Sequence, residues 1–189
     1  VQKKAAAVDW NEIAALTELA RSRNVSIATH DADAPADIDH AAQLGVSVSE
    51  FPLNLQTAAY ARTQGFHVCV GAPNVVRGGS HDRNLNATEA IRTGDADILC
   101  SDYYPPAILL AVFKLHHEEG LPLHKAVNMA SLHPALAAGI SGRVGAIETG
   151  KQADLLLVEI RNELPVVRRT FVGGRLVYSA NRAPVQIFK

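Results

Sequence analysis

Charge of one sign, aromatic side chains, cysteine and long apolar runs are all scarce in this sequence, and each scarcity removes a class of function. Eighteen Lys and Arg against nineteen Asp and Glu leave a formal net charge of −1. There is no global basic field of the kind non-specific nucleic-acid binders use, so any anion site must be local. Aromatic residues make up 5%, too few for platforms that stack single strands. No stretch approaches the roughly 20 apolar residues of a membrane span, the longest being AILLAVF at 107–113. The N-terminus shows no secretory apolar region, and the chain begins at Val1 rather than Met. The two cysteines, Cys69 and Cys100, lie inside the apolar runs FHVCVG and DILCS. They read as buried free thiols of a cytoplasmic protein in preference to a disulfide. No G-x-G-x-x-G follows the first strand-like run, which counts against a dinucleotide-binding sheet.

What is present suits one domain or one and a half: 189 residues, 48% hydrophobic and 20% charged. The first 115 or so residues alternate between two hydrophobic periods. Helical patterns at 10–23, 36–45, 53–65, 86–94 and 105–120 separate strand-like runs at 24–30, 45–51, 66–71 and 96–101. Ile13, Leu16 and Leu19 make the stripe of the first helix, and glycines close several of the others. Four strand–helix units in a row predict a parallel sheet covered by helices. Two more helical pieces follow in 121–139. From Gly142 short β runs take over (GRVGAIETG, ADLLLVEI, PVVRRTFVGGRLVY), with Gly173-Gly174 as a hairpin turn. This predicts a first unit over 1–140 and a small β appendage over 141–189.

Reactive residues of parallel α/β folds gather where strands end. Here the ends read Thr29-His30-Asp31, Ser49-Glu50, Gly71-Ala72-Pro73-Asn74 and Ser101-Asp102-Tyr103. Imidazole and carboxylate groups at separate strand mouths suit a first-row divalent metal with an activated water. Singly, each has an ordinary alternative: His30 as a hydrogen-bonded structural residue, Asp102 as a helix cap, Glu50 as a solvated acid. His40, His116, His117 and His124 sit on helical faces, His67 opens a strand and His133 precedes a proline; none is a site candidate.

Behind the third strand runs GAPNVVRGGSHDRN, 71–84. Read as a loop, it lets Gly78 and Gly79 turn consecutive N–H groups into an anion nest. Arg77 offers a bidentate fork for phosphate oxygens, and Ser80 and His81 add donors. With Asn74 and Tyr103 these form a candidate phosphate clamp.

The series THDAD, SEFP, GAPNVVRGGSH and CSDYYP, with the tail GRVGAIETGKQADLLLVE, resembles the amidohydrolase superfamily over about residues 24–178. GAPNVVRGGSH and SDYYP resemble its subgroup of diphosphatases in the carbon–phosphorus lyase pathway. The resemblance implies the C-terminal half, strands five to eight, of a (β/α)8 barrel with a small β-sandwich tail. It implies one or two divalent ions, zinc before manganese, with His30 as the fifth-strand ligand and Asp102 as eighth-strand ligand and proton carrier. Glu50 stands where the superfamily often has a sixth-strand histidine, so it either takes that place as a metal ligand or leaves the position without one. No His-x-His pair of a first strand occurs, so the expectation is part of a longer enzyme, inactive alone.

The implied substrate is a ribose 5-triphosphate bearing a 1-methylphosphonate, split to the 5-phosphate and pyrophosphate. Alternatives are deamination or cyclic-amide hydrolysis, or a non-catalytic scaffold. Exposed sheet edges leave self-association into a homo-oligomer open.

Overall fold

The computed structural model describes residues 8–79 and 84–180. The expected alternation is there: α1 (Trp10–Ser22), β1 (Ala28–His30), α2 (Pro35–Gln43), β2 (Val48–Glu50), α3 (Leu55–Thr63) and β3 (His67–Gly71). Next come α4 (Ala72–Arg77), α5 (Ala87–Thr93), β4 (Ile98–Cys100), α6 (Ala107–His117), α7 (Leu123–Ala130) and α8 (Leu132–Ala137). β1 to β4 form one sheet in chain order, every pair parallel, the arrangement helical crossovers produce. No helix among the described residues is long and apolar enough to cross a membrane.

Local signals set the helix starts. Asn54 and Asn86 accept from the backbone N–H groups of Thr57 and Glu89, at 2.9 and 3.2 Å, satisfying donors that a helix N-terminus leaves free. The Asp37 carboxylate does the same for Asp33 and Ala34 ahead of α2. Asn54 and Thr57 also donate to the Asp33 carbonyl, at 2.7 and 2.9 Å, so the turn after β1 is tied to the start of α3.

The core lies between sheet and helices. Ile38, Val68, Val75 and Leu115 are fully buried among Ala58, Ala61, Ala90, Ala107 and Ala111. Methyl-sized side chains at those five positions let the helices lie close on the strands. α1 differs: of its predicted stripe Ile13 is half-buried while Leu16 and Leu19 are exposed, at 60% and 48%, and none of its residues is fully buried.

The structure departs from the sequence-based pattern in three places. Strands are shorter than the apolar runs that contain them, β1 by four residues, because Asn24 takes a left-handed turn (φ 56°) after α1. The stretch after β3 is not wholly a loop. Pro73 opens α4, Ala72 and Val75 are buried beneath it, and Lys114 of α6 donates to the Val76 carbonyl at 3.0 Å. Thirdly, 142–150 forms turns rather than a strand. Gly145 (φ 94°) passes so close to α8 that a Cβ would stand 2.6 Å from that of Ala135.

β5 (Leu155–Arg161), β6 (Leu164–Val172) and β7 (Arg175–Ser179) form a separate antiparallel sheet, and α6 packs on β6. Gly173-Gly174 turns β6 into β7 as expected. Asn162 and Glu163, both at positive φ, make the β5–β6 turn, which carries no glycine signal.

The amino-terminal end of the parallel sheet is fastened by Asp97. Its carboxylate accepts from Arg62 Nη1 at 2.9 Å, His67 Nδ1 at 2.7 Å and the Val68 N–H at 2.8 Å. His133 reaches its carbonyl at 2.7 Å. Replacing Asp97 by Ala leaves the Val68 amide without its acceptor and the part-buried Arg62 guanidinium with only the Phe66 carbonyl, at 2.7 Å, which costs about 2–3 kcal/mol. Urea unfolding of Asp97→Ala will show this as a lowered midpoint; an unchanged midpoint would mean the network contributes nothing.

Candidate functional site

The parallel register assigns the faces. His30 pairs with Glu50 and Glu50 with Cys69, while Cys100 pairs with Gly71. Side chains alternate along a strand, so His30, Glu50, Cys69 and Cys100 share one face. The intervening residues Ser49, Val68, Val70 and Leu99 are buried under the helices. The helix-facing side is thus mainly apolar, with Ser49 its polar exception, and the open side carries His30, Glu50 and the two thiols beside Ile98.

Three strands run out through strained residues. Asp31 (φ 58°), Phe51 (φ 52°) and Asp102 (φ 48°) are all left-handed, a conformation uncommon outside glycine and costly for a bulky ring. Asp31 and Phe51 each add one further rung to the ladder, donating to the carbonyls of Glu50 and Cys69, both at 3.0 Å. The Phe51 ring stands edge-on to His30 with centroids 5.3 Å apart. His30 Nδ1 is 3.1 Å from an Asp31 carboxylate oxygen, both side chains more than half exposed.

Beyond these ends opens a cleft of about 290 Å³, walled by Asp31, Phe51, Asn74, Arg77, Asp102 and Tyr103 among others. Arg77, in the last turn of α4, donates through Nη1 to the Tyr103 hydroxyl at 2.5 Å. That bond fixes one side of the guanidinium and leaves its remaining donors for a ligand. Asn74 is engaged at both ends, donating to the Leu85 carbonyl at 3.2 Å and accepting from the Ala87 N–H at 3.1 Å. A larger cavity of about 500 Å³ lies on the small sheet beside Glu159 and Arg168, where those two side chains pair at 3.2 Å.

On the open face just below the cleft, Glu50, Cys69 and Cys100 place one carboxylate oxygen and two sulfurs within 4.8 Å of one another. Both cysteines are free. The hydrogen bond between the thiols, with burial and the nearby Glu50, pushes Cys69 far up. The same hydrogen bond, helped by the Asp102 N–H, brings Cys100 down against the opposing effect of its burial. Cys69 keeps its proton, and Cys100 ionises first.

Residues 3–177 match the sequence profile described as Amidohydrolase family. The chain belongs to that family. It is 36% identical over 165 residues to the alpha-D-ribose 1-methylphosphonate 5-triphosphate diphosphatase of Escherichia coli (strain K12), covering 86% of this chain and 43% of the relative. It is 30% identical over 114 residues to the 5'-deoxyadenosine deaminase of Methanobrevibacter smithii, covering 60% and 23%. The chain thus spans less than half the length of either relative. An amidohydrolase structure from Thermotoga maritima superposes with a TM-score of 0.66 at 20% identity, covering 82% of this chain and 44% of that one. Enamidase superposes at 0.67 with 15% identity, covering 91% and 52%. Both likenesses concern the fold.

The amidohydrolase chain gathers some expected site residues and separates others. Arg77, Asn74, Asp102 and Tyr103 line one cleft. Ser80 and His81 lie outside the described residues. The amide nest expected of Gly78 and Gly79 is not formed. Their N–H groups close α4 instead, Gly78 donating to the Asn74 and Val75 carbonyls and Gly79 to that of Asn74, at 3.0–3.2 Å.

Amidohydrolases generally use a divalent metal, and imidazole with carboxylate suits one chemically. Among the described residues the trio at ligand spacing is Glu50 with Cys69 and Cys100, and it includes neither His30 nor Asp102. Sequence reading passed over the two thiols as inert core. Their parity was the available signal, since each stands two residues before a rim residue, Gly71 and Asp102. Iodoacetamide will label Cys100 well before Cys69, at a rate sustained below the ordinary thiol pKa of about 8.5. Peptide mapping that finds Cys69 labelled first contradicts the proton assignment.

Proposed function

We propose that this chain is the strand-five-to-eight half of a (β/α)8 barrel, with its antiparallel sheet contributing to a small β-sandwich, in an enzyme that removes pyrophosphate from a ribose 5-triphosphate. The substrate class follows from the 36% identical relative named as a diphosphatase. The observation that carries it on this chain is the Arg77–Tyr103 pair in one cleft with Asp102. An open guanidinium beside a carboxylate is what a polyanion and an attacking water require.

The roles follow from the chemistry. Arg77, steadied by Tyr103, binds phosphate oxygens and offsets charge that builds on the departing pyrophosphate. Asp102 accepts the proton of the water that attacks the phosphorus nearest the ribose. His30 and Asp102 are the residues that would hold a divalent ion, zinc by preference, with Glu50 the third candidate on this chain. Such an ion, when bound, would supply Lewis acidity toward water and phosphate oxygens. Phe51 and Pro52 shield one wall of the cleft from solvent. The cytoplasm suits two cysteines that are both free.

Relatives named as deaminases, about 30% identical over shorter stretches, favour a second reading. His30 and Asp102 would serve a deamination equally well, whereas Arg77 has no task there. In the longer protein that carries this chain, Arg77→Ala will lower the rate of pyrophosphate release by about 10²–10³, the usual effect of losing a donor to developing charge. Normal turnover by that variant would overturn the clamp, and ammonia release from an adenosine-type substrate would establish the second reading.

A further inference from the structure

We propose that Glu50, Cys69 and Cys100 form a binding site for a soft divalent cation, of which zinc is the biological example, on the open face of the parallel sheet. This goes beyond the hydrolase reading, because two of the three ligands are thiols to which that reading gives no role and the side chains of His30 and Asp102 are not among the ligands.

The donors come from three adjacent strands, with ligand atoms all within 4.8 Å of one another. An ion about 2.3 Å from each sulfur and about 2.1 Å from the oxygen sets tetrahedral ligands roughly 3.6–3.8 Å apart. The observed spacing reaches this by small side-chain rotations. Cys69 is buried while Glu50 and Cys100 are partly exposed, so a fourth position faces the open side of the sheet. Two sulfur ligands select zinc over magnesium or calcium. The Asp102 N–H directed at Cys100 sulfur is the kind of outer contact that orients a thiolate ligand.

A disulfide is the competing use of two neighbouring thiols, and the register opposes it. Cys69 pairs with Ile98, so Cys100 lies on the diagonal. With strands about 4.8 Å apart and a rise of about 3.3 Å per residue, Cα atoms two residues out of register across a parallel pair stand about 8 Å apart, beyond the limit of about 7 Å between bridged Cα atoms.

Cobalt(II) is the spectroscopic probe. Titrated into the reduced full chain, one equivalent will give sulfur-to-cobalt charge-transfer absorption that zinc displaces and magnesium does not. Cys100→Ser and Cys69→Ser will each weaken zinc binding by about 100-fold or more and strip most of that absorption. Glu50→Gln will keep the absorption and weaken binding by about 10–100-fold. His30→Ala and Asp102→Asn will leave the sulfur-to-cobalt absorption unchanged. Circular dichroism checks that each variant is folded; should Cys69→Ser unfold, Cys100→Ser and Glu50→Gln at partly exposed positions decide. Cobalt bound without sulfur absorption, absorption surviving intact in Cys100→Ser, or its loss in His30→Ala would each overturn the site.

Discussion

One parallel register sorts the chemistry of this chain. His30, Glu50 and Cys69 are aligned across three strands, with Cys100 beside Gly71 on the fourth. Val68, Val70 and Leu99 are thereby turned toward the helices. A slip of one residue in β2 would drive Glu50 into the helix-facing core and bring Ser49 to the open face. An unpaired buried carboxylate is costly enough to forbid that. The close-lying alanines lock the same register from the other side, since the helices fit only where the strands present Val68, Val70 and Leu99.

The two ends of the sheet divide the work. At the amino end Asp97 gathers Arg62, His67 and a backbone amide into a satisfied, part-buried network, which is a device for stability. At the carboxyl end the backbone is strained at Asp31, Phe51 and Asp102, and polar groups are left facing a cleft. Strain at one end needs firm anchoring elsewhere. α4 links the two regimes: Gly78 closes it in a left-handed cap, and Lys114 holds its Val76 carbonyl. Arg77 is therefore carried on a fixed helix end.

The alternation of strands and helices was legible because each half-period is local. So was the Gly173-Gly174 turn, whose conformation glycine itself demands. α4 was not: a segment holding Pro73 and Gly78-Gly79 reads as a turn, and it is helical because Ala72 and Val75 are buried beneath it. The β5–β6 turn was hidden because Glu163 adopts a positive φ that its residue type disfavours. The rim residues of the site were readable as strand ends. The trio of Glu50 with the two thiols was not, since it exists only once the register between three strands is set. The stripe of α1 was visible, yet two of its three residues, Leu16 and Leu19, stay exposed.

The central claim is that this register builds a carboxyl rim where Arg77 and Tyr103 receive a chain of phosphates beside Asp102. Nuclear magnetic resonance of the full chain titrated with inorganic tripolyphosphate tests it most directly. The account predicts saturable shifts of the Arg77 side-chain N–H and Tyr103 ring signals together, with Asp102 and Asn74 amides following at the same midpoint. Shifts confined to scattered surface lysines, or the small sheet around Arg168 responding instead, would contradict it.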